Sequence, residues 1–387
     1  MSDLPEVVRR DVVAGPRSAS ATRWLAERRQ IIAWWAGGRA LVLVSALVLH
    51  WLASPRGYFG HAIFARPFGV LSAWDGIWYR RVAEHGYLLV PGQQSDTAFF
   101  PLYPALLHVV HATGMPVAAA GLLVANAFLL AAVLLLYELG REFLPTADAK
   151  RAAVLAAVFP AGYVFSMIYP ESLVLTAMVA AMLFALRNRW VASAAAAAAA
   201  ALARPEGALL VIPLAAIAYE RRRTLPPEAR GRAAGAVLAG PAAVASFVLY
   251  LTWALHDPFA WSEAERAWGR SFQAGGVVSA LRGVAVDLAR QPWVIRDAGL
   301  CLVYLLLLLV AARAGIRWPW IAFGVAIVLL PLTSGSVESD ARFGLLAVPV
   351  YWGLAVLGRR RWVERGLLAA CSLLLVAATV TVPLIFP

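Results

Sequence analysis

Two carboxylates lie where a reaction at a membrane surface could use them. Asp75 is part of the string AWDGIWYRRVAEHGY, residues 73–87, and Glu171 follows Pro170 at the start of an apolar helical pattern. Asp75 either caps the helix that it begins or acts as a general base toward an acceptor. Glu171 either complements a helix dipole or takes part in chemistry, and its apolar surroundings favour chemistry because an ionisable group there is costly.

Two arginines have the chemistry that an anionic ligand requires. Arg204 is separated from Glu206 by Pro205, and Arg342 follows two acidic residues. Because guanidinium groups bind phosphate oxygens through paired hydrogen bonds, both arginines are candidates for a lipid-phosphate site. The alternatives are an ion-paired kink at Arg204 and an ordinary loop charge at Arg342.

Aromatic residues accompany these charges. The string AFFPLYP, residues 98–104, is either an aromatic belt stiffened by prolines or a wall beside a sugar or lipid headgroup. The sequence has no HExxH, P-loop or dinucleotide-binding signature, and no Ser/His/Asp arrangement stands out. Hydrolase, ATPase and dinucleotide-dependent chemistry are therefore not indicated.

The elements that position these residues must lie in lipid. Apolar residues make up 61% of the 387-residue chain and charged residues 14%, and the mean hydropathy is +0.72. This composition excludes an ordinary soluble domain, and continuous apolar runs of helix length argue against a β-barrel. The net charge of +12 lies in short links between apolar runs, so it indicates topology and not nucleic-acid binding. The predicted fold is an all-α, polytopic membrane protein.

We expect residues 1–30 to form a cytoplasmic tail and residues 31–387 to form one transmembrane domain of about 11 helices. The predicted spans lie near 31–53, 115–138, 152–169, 172–187, 190–203, 207–219, 233–255, 298–313, 317–333, 343–358 and 366–384. Several are shorter than the roughly 20 residues that a crossing needs, so one or two are candidates for re-entrant segments.

The distribution of arginine predicts the orientation. With a cytoplasmic N-terminus, every inner link is basic, as the positive-inside rule requires, and the C-terminus lies outside. Two long outer loops, 54–98 and 256–297, then contain amphipathic, Trp-bearing pieces that are typical of helices at the membrane interface. The candidate residues fall on this outer face.

Three motifs in order resemble one family. WDGIWY and AEHGY within residues 74–87, then AFFPLYP, then FPAGYVFSMIYPESL resemble the PIG-V-like mannosyltransferases. These are bacterial relatives of the second mannosyltransferase of GPI-anchor assembly, in the GT-C class. The resemblance covers at least residues 70–210, and AERAWGRSF, residues 264–272, is similar to a later stretch. Where the family has an Arg-Ser-Asn-Gly-like string this chain has RPEG, so Arg204 carries over and Glu206 does not.

The resemblance implies a GT-C-like architecture and an inverting transfer of a sugar, with mannose favoured, from a polyprenyl-phosphate donor. By the same resemblance, the acceptor would be a hydroxyl of a glycolipid, lipoglycan or protein at the outer face of the plasma membrane. Asp75 would be the general base, Glu171 would orient a hydroxyl, and Arg204 and Arg342 would bind the donor phosphate. The implied pocket residues are Trp74, Tyr79, His85, Phe99, Phe100, Tyr103 and Tyr169. No cofactor and no metal are predicted.

Other functions stay open at this point. A transporter or flippase of a lipid-linked or glycan substrate would also use intramembrane charge and broken helices. An inactive scaffold with a transferase-like fold is a further alternative, since fold does not fix function. A divalent cation held by the carboxylates of Asp75, Glu171, Glu338 and Asp340 is a less favoured variant of the transferase site.

Overall fold

The computed structural model describes residues 21–52, 66–287 and 291–385. Within these ranges the regular structure is helical and contains no β-strand, which confirms the predicted all-α class. Three pieces of the predicted organisation lie outside the described residues: 1–20 of the tail, 54–65 of the first outer loop and 288–290 of the second.

The α-helices of the described residues are α1 Ala21–Leu52, α2 Asp75–His85, α3 Leu102–His111, α4 Val117–Gly140, α5 Thr146–Ala157, α6 Glu171–Leu186, α7 Trp190–Ala203, α8 Val211–Arg221, α9 Pro227–Leu255, α10 Ala260–Ala267, α11 Gly276–Asp287, α12 Pro292–Arg313, α13 Trp318–Leu329, α14 Asp340–Phe343, α15 Val348–Leu357 and α16 Arg361–Ile385. The 3-10 segments between them are Gly69–Ser72, Asp96–Ala98, Pro160–Ser166, Pro205–Leu210, Pro331–Ser334 and Gly344–Leu346. Because α1 begins at Ala21, the last part of the predicted tail is continuous with the first span.

Among the described residues, five helices are long and apolar enough to cross a membrane: α1, α4, α9, α12 and α16. The number rises to seven if each of two bent helix pairs counts as one span. Shorter apolar helices, among them α3, α7 and α11, fall below the length of an unaided crossing. Several spans are therefore present, and the number of about 11 stays a prediction.

The predicted span 152–169 is not one continuous helix. α5 ends at Ala157, and the 3-10 segment Pro160–Ser166 meets α6 at a bend of 99°. Pro160 and Pro170 lack the amide hydrogen that a continuous helix uses, so the sequence itself interrupts the helix here. The expectation of a single helix is corrected to a helix followed by a break.

Arg39 of α1 satisfies the backbone of this break. Its guanidinium donates hydrogen bonds to the carbonyl oxygens of Ala157 and Gly162, both at 3.0 Å, and to Ser166 Oγ at 2.8 Å. Ser166 in turn donates to Asn126 Oδ1 at 2.8 Å. Irregular backbone at membrane depth is stable only when the protein supplies its hydrogen-bond partners. The buried Arg39 therefore supports the segment that leads into Glu171.

Small residues allow close packing at the end of α7. The alanine-rich α7 packs against α6 and α9, and the chain then doubles back in the segment Pro205–Leu210. A Cβ on Gly207 would lie 2.3 Å from the backbone nitrogen of Ala201 and 2.4 Å from the backbone carbon of Ala200. Only glycine fits at this approach, which fixes Arg204 and Glu206 just beyond α7.

Candidate active site

A cavity of about 1130 Å³ lies between the predicted outer loops and the ends of several helices. Most of its lining residues lie in the stretches 74–79, 98–100, 163–169, 203–206, 261–272 and 338–343. Positions more than 250 residues apart in the sequence thus meet at one cavity. Both long loops that the sequence predicts on the outer face contribute to it.

A connected set of ion pairs lies at the cavity. Arg342 Nη1 pairs with Asp75 Oδ2 and lies 3.9 Å from Glu171 Oε1. Arg204 Nη1 donates to the same Glu171 oxygen at 2.5 Å. Arg204 also holds Glu206 by two hydrogen bonds, from Nε at 3.1 Å and from Nη2 at 3.0 Å. Two arginines and three carboxylates therefore form one network.

Burial differs along this network. Glu171 has no exposed surface, whereas the side chains of Asp75 and Arg342 are 18% and 17% exposed. Burial by itself raises the pKa of Glu206, but the charge and hydrogen bonds of Arg204 outweigh it and hold that pKa below its ordinary value. The Asp75–Arg342 pair is thus the end of the network that a substrate reaches from the cavity.

Two residues with positive φ precede the partners of this pair. Trp74, with φ of 51°, comes directly before Asp75, the first residue of α2, and Ser339, with φ of 67°, comes directly before α14, which contains Arg342. Such conformations cost a non-glycine residue about 1–3 kcal/mol and cluster at functional sites. No side-chain bond caps α2, so Asp75 pairs with Arg342 instead of serving as the cap.

Three guanidinium groups surround the ring of Phe343. The distances from the ring centroid are 4.5 Å for Arg204, 5.3 Å for Arg342 and 5.4 Å for Arg270. An aromatic face attracts a cation within about 6 Å of its centroid. Phe343 therefore gathers three cations, of which the sequence predicted only the first two as site residues.

Aromatic side chains form one wall of the cavity. Tyr79 meets Phe99 edge-on at 5.0 Å and Tyr103 at 5.2 Å between ring centroids. Trp78 stacks on Phe99 at 6.0 Å, and Trp268 from the second outer loop meets Trp78 edge-on at 5.4 Å. The AFFPLYP string therefore packs against the helix that begins at Asp75, with aromatic faces that suit a sugar or a prenyl chain.

Most of the residues predicted for the site line the cavity: Trp74, Asp75, Tyr79, Phe99, Phe100, Tyr169, Arg204 and Arg342. Glu171 lies beneath them and meets the cavity through its ion pairs. Tyr103 is fully buried behind Tyr79. The side chain of His85 is 72% exposed at the far end of α2, about 15 Å from Asp75 along the helix axis, so the structure does not bring it to the cavity.

None of the lining residues of the second outer loop was predicted for the site, and Glu265 and Arg270 are two of them that carry charge. Burial raises the pKa of the Glu265 carboxyl to about 7, although Arg270 opposes this shift. Both residues lie in AERAWGRSF, the string that is similar to a later stretch of the family. That similarity was the available signal, but it does not show which side chains face the cavity.

A metal site does not emerge from the described residues. No group of three His, Cys, Asp or Glu side chains there is placed to hold a metal ion. Of the four carboxylates considered from the sequence, Asp75 and Glu171 are engaged by arginines, and neither Glu338 nor Asp340 joins them.

The helices and the cavity define a multi-pass membrane protein with a charged and aromatic site. A family model described as mannosyltransferase (PIG-V) matches residues 46–215. This match supports the PIG-V-like mannosyltransferase family, as the resemblance predicted, and the family indicates a mannosyltransferase and hence a glycosyltransferase. The matched range includes Asp75, Glu171 and Arg204 but not Arg342. No curated protein matches the chain.

Proposed function

We propose that the chain transfers mannose from a polyprenyl-phosphate-mannose donor to a hydroxyl of a glycolipid, lipoglycan or protein acceptor, with inversion. The reaction takes place at the outer face of the plasma membrane, in a GT-C-like arrangement of about 11 spans with a cytoplasmic N-terminus. A mannosyltransferase needs a sugar donor and an acceptor. The cavity of about 1130 Å³ suits both, since small-molecule pockets are commonly about 300–1,000 Å³.

The observation that carries the proposal is the cavity-facing pair of Asp75 and Arg342. Asp75 accepts the proton of the acceptor hydroxyl as the oxygen attacks the anomeric carbon. The bond from that carbon to the phosphate oxygen breaks, and its electron pair leaves with the lipid phosphate. A single displacement from the opposite face inverts the anomeric centre.

The arginines stabilise the leaving group. Arg342 binds the lipid phosphate as negative charge develops on the phosphate. This contact breaks the ion pair between Arg342 and Asp75, so the Asp75 carboxylate is then free to act as the base. Arg204 contributes positive charge without direct contact, because its ion pairs with Glu171 and Glu206 already hold it. Glu171 is fully buried, so it acts chiefly by holding both arginines.

Purified protein in liposomes, with radiolabelled polyprenyl-phosphate-mannose and a bacterial lipid extract, tests this function. Asp75→Asn removes the base, and Glu84→Gln, on the exposed surface of the same helix, is the matched control. We expect Glu84→Gln to transfer label as the wild type does. We expect Asp75→Asn to lose transfer by about 100-fold or more, the usual contribution of a general base.

The outcomes separate the classes of function. Near-normal transfer by well-folded Asp75→Asn would remove the base assignment but keep the transferase. A product that keeps the donor's anomeric configuration would exclude the single displacement. Movement of label across the bilayer without a new product would instead favour a transporter of the lipid-linked sugar.

A further inference from the structure

Arg270 differs from the other two guanidinium groups at Phe343 in its partners. Arg342 pairs with Asp75, and Arg204 pairs with two carboxylates. Arg270 Nη1 donates to the backbone carbonyl oxygen of Glu338 at 3.1 Å. Within the described ranges, no carboxylate lies within 4.0 Å of its guanidinium. Arg270 is therefore a cavity cation whose charge the nearby carboxylates balance only from a distance.

The electrostatic surroundings of Arg270 favour an added anion. Burial and the nearby charge of Arg342 lower the pKa of Arg270, and the more distant carboxylates of Glu338, Asp75 and Glu265 only partly offset them. An arginine keeps its proton at physiological pH, so this shift indicates a positive charge that the protein's own groups stabilise poorly. A bound anion would supply the missing stabilisation.

The backbone around Arg270 is held in place. The amide of Arg270 donates to the Glu265 carbonyl oxygen at 2.7 Å, after Gly269 at a φ of 70°. Trp268 Nε1 donates to the Ser95 carbonyl oxygen at 3.1 Å, which ties this loop to the first outer loop. The backbone N–H of Gln273 donates to the carbonyl oxygen of Thr333 at 2.9 Å. The loop thus presents Arg270 to the cavity from fixed points on both sides.

An apolar surface adjoins this cation. Phe272, which is 79% exposed, and Leu330, which is 42% exposed, both line the cavity. A free phosphate would gain nothing from these side chains. A prenyl chain would bury them, at about 25 cal/mol for each Å² of apolar surface removed from water.

We propose that Arg270, together with Arg342, forms the binding site for the phosphate of a lipid-linked sugar donor, with the prenyl chain over Phe272 and Leu330. This assignment rests on the proposed function and makes it more specific, because it adds a phosphate ligand that the motifs did not indicate. Arg270 supplies the uncompensated charge, and Arg342 joins it after releasing Asp75. Arg204 remains in its carboxylate pairs.

Binding of undecaprenyl phosphate to the purified full-length protein tests the site without any transfer reaction. The variants are Arg270→Gln, Arg270→Lys and a matched control, Arg282→Gln, which removes an exposed arginine of the same outer loop. We expect Arg270→Gln to weaken binding about 10- to 100-fold, the usual effect of losing a charge-assisted hydrogen bond. Arg270→Lys keeps the charge and restores part of the affinity, and Arg282→Gln binds as the wild type does.

Two further probes identify the source of the phosphate. Undecaprenol has the same chain without phosphate, and its binding is expected to be equal in the wild type and Arg270→Gln. Inorganic phosphate is expected to displace undecaprenyl phosphate only at far higher concentration. If inorganic phosphate competes at equal concentration, the site binds a free anion and the lipid assignment is overturned.

The result is separable from that of the transfer assay. If Arg270→Gln loses undecaprenyl phosphate while the wild type shows no mannosyl transfer, the phosphate site stands and the donor sugar is reassigned. If the wild type transfers mannose and a well-folded Arg270→Gln keeps both its affinity and its donor KM, the transferase stands and the Arg270 site is overturned. Failure of the wild type to bind undecaprenyl phosphate overturns the Arg270 site as well.

Discussion

Arg204 lies at the wall of the cavity with 8% of its surface exposed, and its two carboxylate partners are what make a nearly buried charge tolerable there. Glu171 and Glu206 are buried with it, so water and salt compensate little for a lost partner. A buried ion pair adds little stability over an apolar substitute, but removing one partner leaves an uncompensated charge. The RPEG string, in which Glu206 departs from the family pattern, therefore brings a structural partner for Arg204.

Glu206→Gln is expected to lower the free energy of unfolding by about 3 kcal/mol, because it breaks a buried, two-bond ion pair. Glu220→Gln is the control: Glu220 forms a two-bond pair with Arg317 in which both side chains are exposed. That loss should cost about 0–1 kcal/mol. Unfolding of both variants in the same detergent gives the comparison, and equal losses would contradict the importance of burial.

The Glu265 carboxyl should make stability depend on pH. Burial raises its pKa in the folded protein to about 7 from an ordinary 4.5, and the charged groups that face it are Arg270, Glu206 and Arg204. The folded state therefore binds the proton more tightly. The resulting stability is full below pH 4.5 and is lost as the pH rises through about 7.

We expect the wild-type melting temperature to fall more between pH 5 and pH 8 than that of Glu265→Gln, by about 1–3 °C. Glutamine resembles the protonated carboxyl and cannot titrate, so the difference between the two proteins isolates this group. Thermal unfolding in one detergent at both pH values is the measurement. Parallel curves for the two proteins would show that Glu265 titrates as it does when unfolded.

Residue types and their order in the chain predicted part of the site well. Asp75, Arg204 and Arg342 line the cavity. They could be predicted because an ionisable residue beside apolar runs is costly, which favours a functional role. His85 and Arg270 show the limit of this reasoning. Proximity to Asp75 in the sequence does not bring His85 to the cavity, and no local pattern places Arg270 beside Phe343, since a long-range fold brings them together.

At the scale of elements, breaks between helices position the residues of the site. Glu171 begins α6 after the break that Pro160 and Pro170 impose, and α14 joins α15 through a second bent pair at 86°. Apolar runs predicted the long helices α1, α4 and α9 because helix length in lipid is set by the bilayer. The course of the break after Ala157 was not predictable, since it depends on hydrogen bonds from Arg39, over a hundred positions away.

Arg39→Gln should destabilise the protein by several kcal/mol, because it removes donors from two buried carbonyl oxygens and from Ser166. Arg29→Gln, which removes an exposed arginine of the same helix, is the control and should be nearly neutral. The melting temperature and the yield of monodisperse protein report the difference. An Arg39→Gln protein as stable as Arg29→Gln would mean that the break does not need this support.

At the scale of the whole molecule, links predicted on the same side of the membrane make polar contacts with each other. Arg28 and Arg187 both reach Glu138, Arg359 reaches Asp148, and all of these lie in or beside links predicted inside. Contacts at the cavity join segments predicted outside, such as Asp75 with Arg342 and Trp268 with Ser95. The arginine pattern and the fold therefore agree on which links share an end of the molecule.

Which end faces the cytoplasm follows from the positive-inside rule and can be tested with single cysteines. Arg223→Cys lies in a link predicted inside, and Arg282→Cys lies in the second outer loop; both positions are exposed. The native Cys301 and Cys371 are buried, so the wild type gives the background labelling. In intact cells a membrane-impermeant maleimide should label Arg282→Cys and spare Arg223→Cys until the cells are opened. The reverse pattern would place the cavity at the cytoplasmic face, where a lipid-linked donor would have to present its sugar on the inner leaflet.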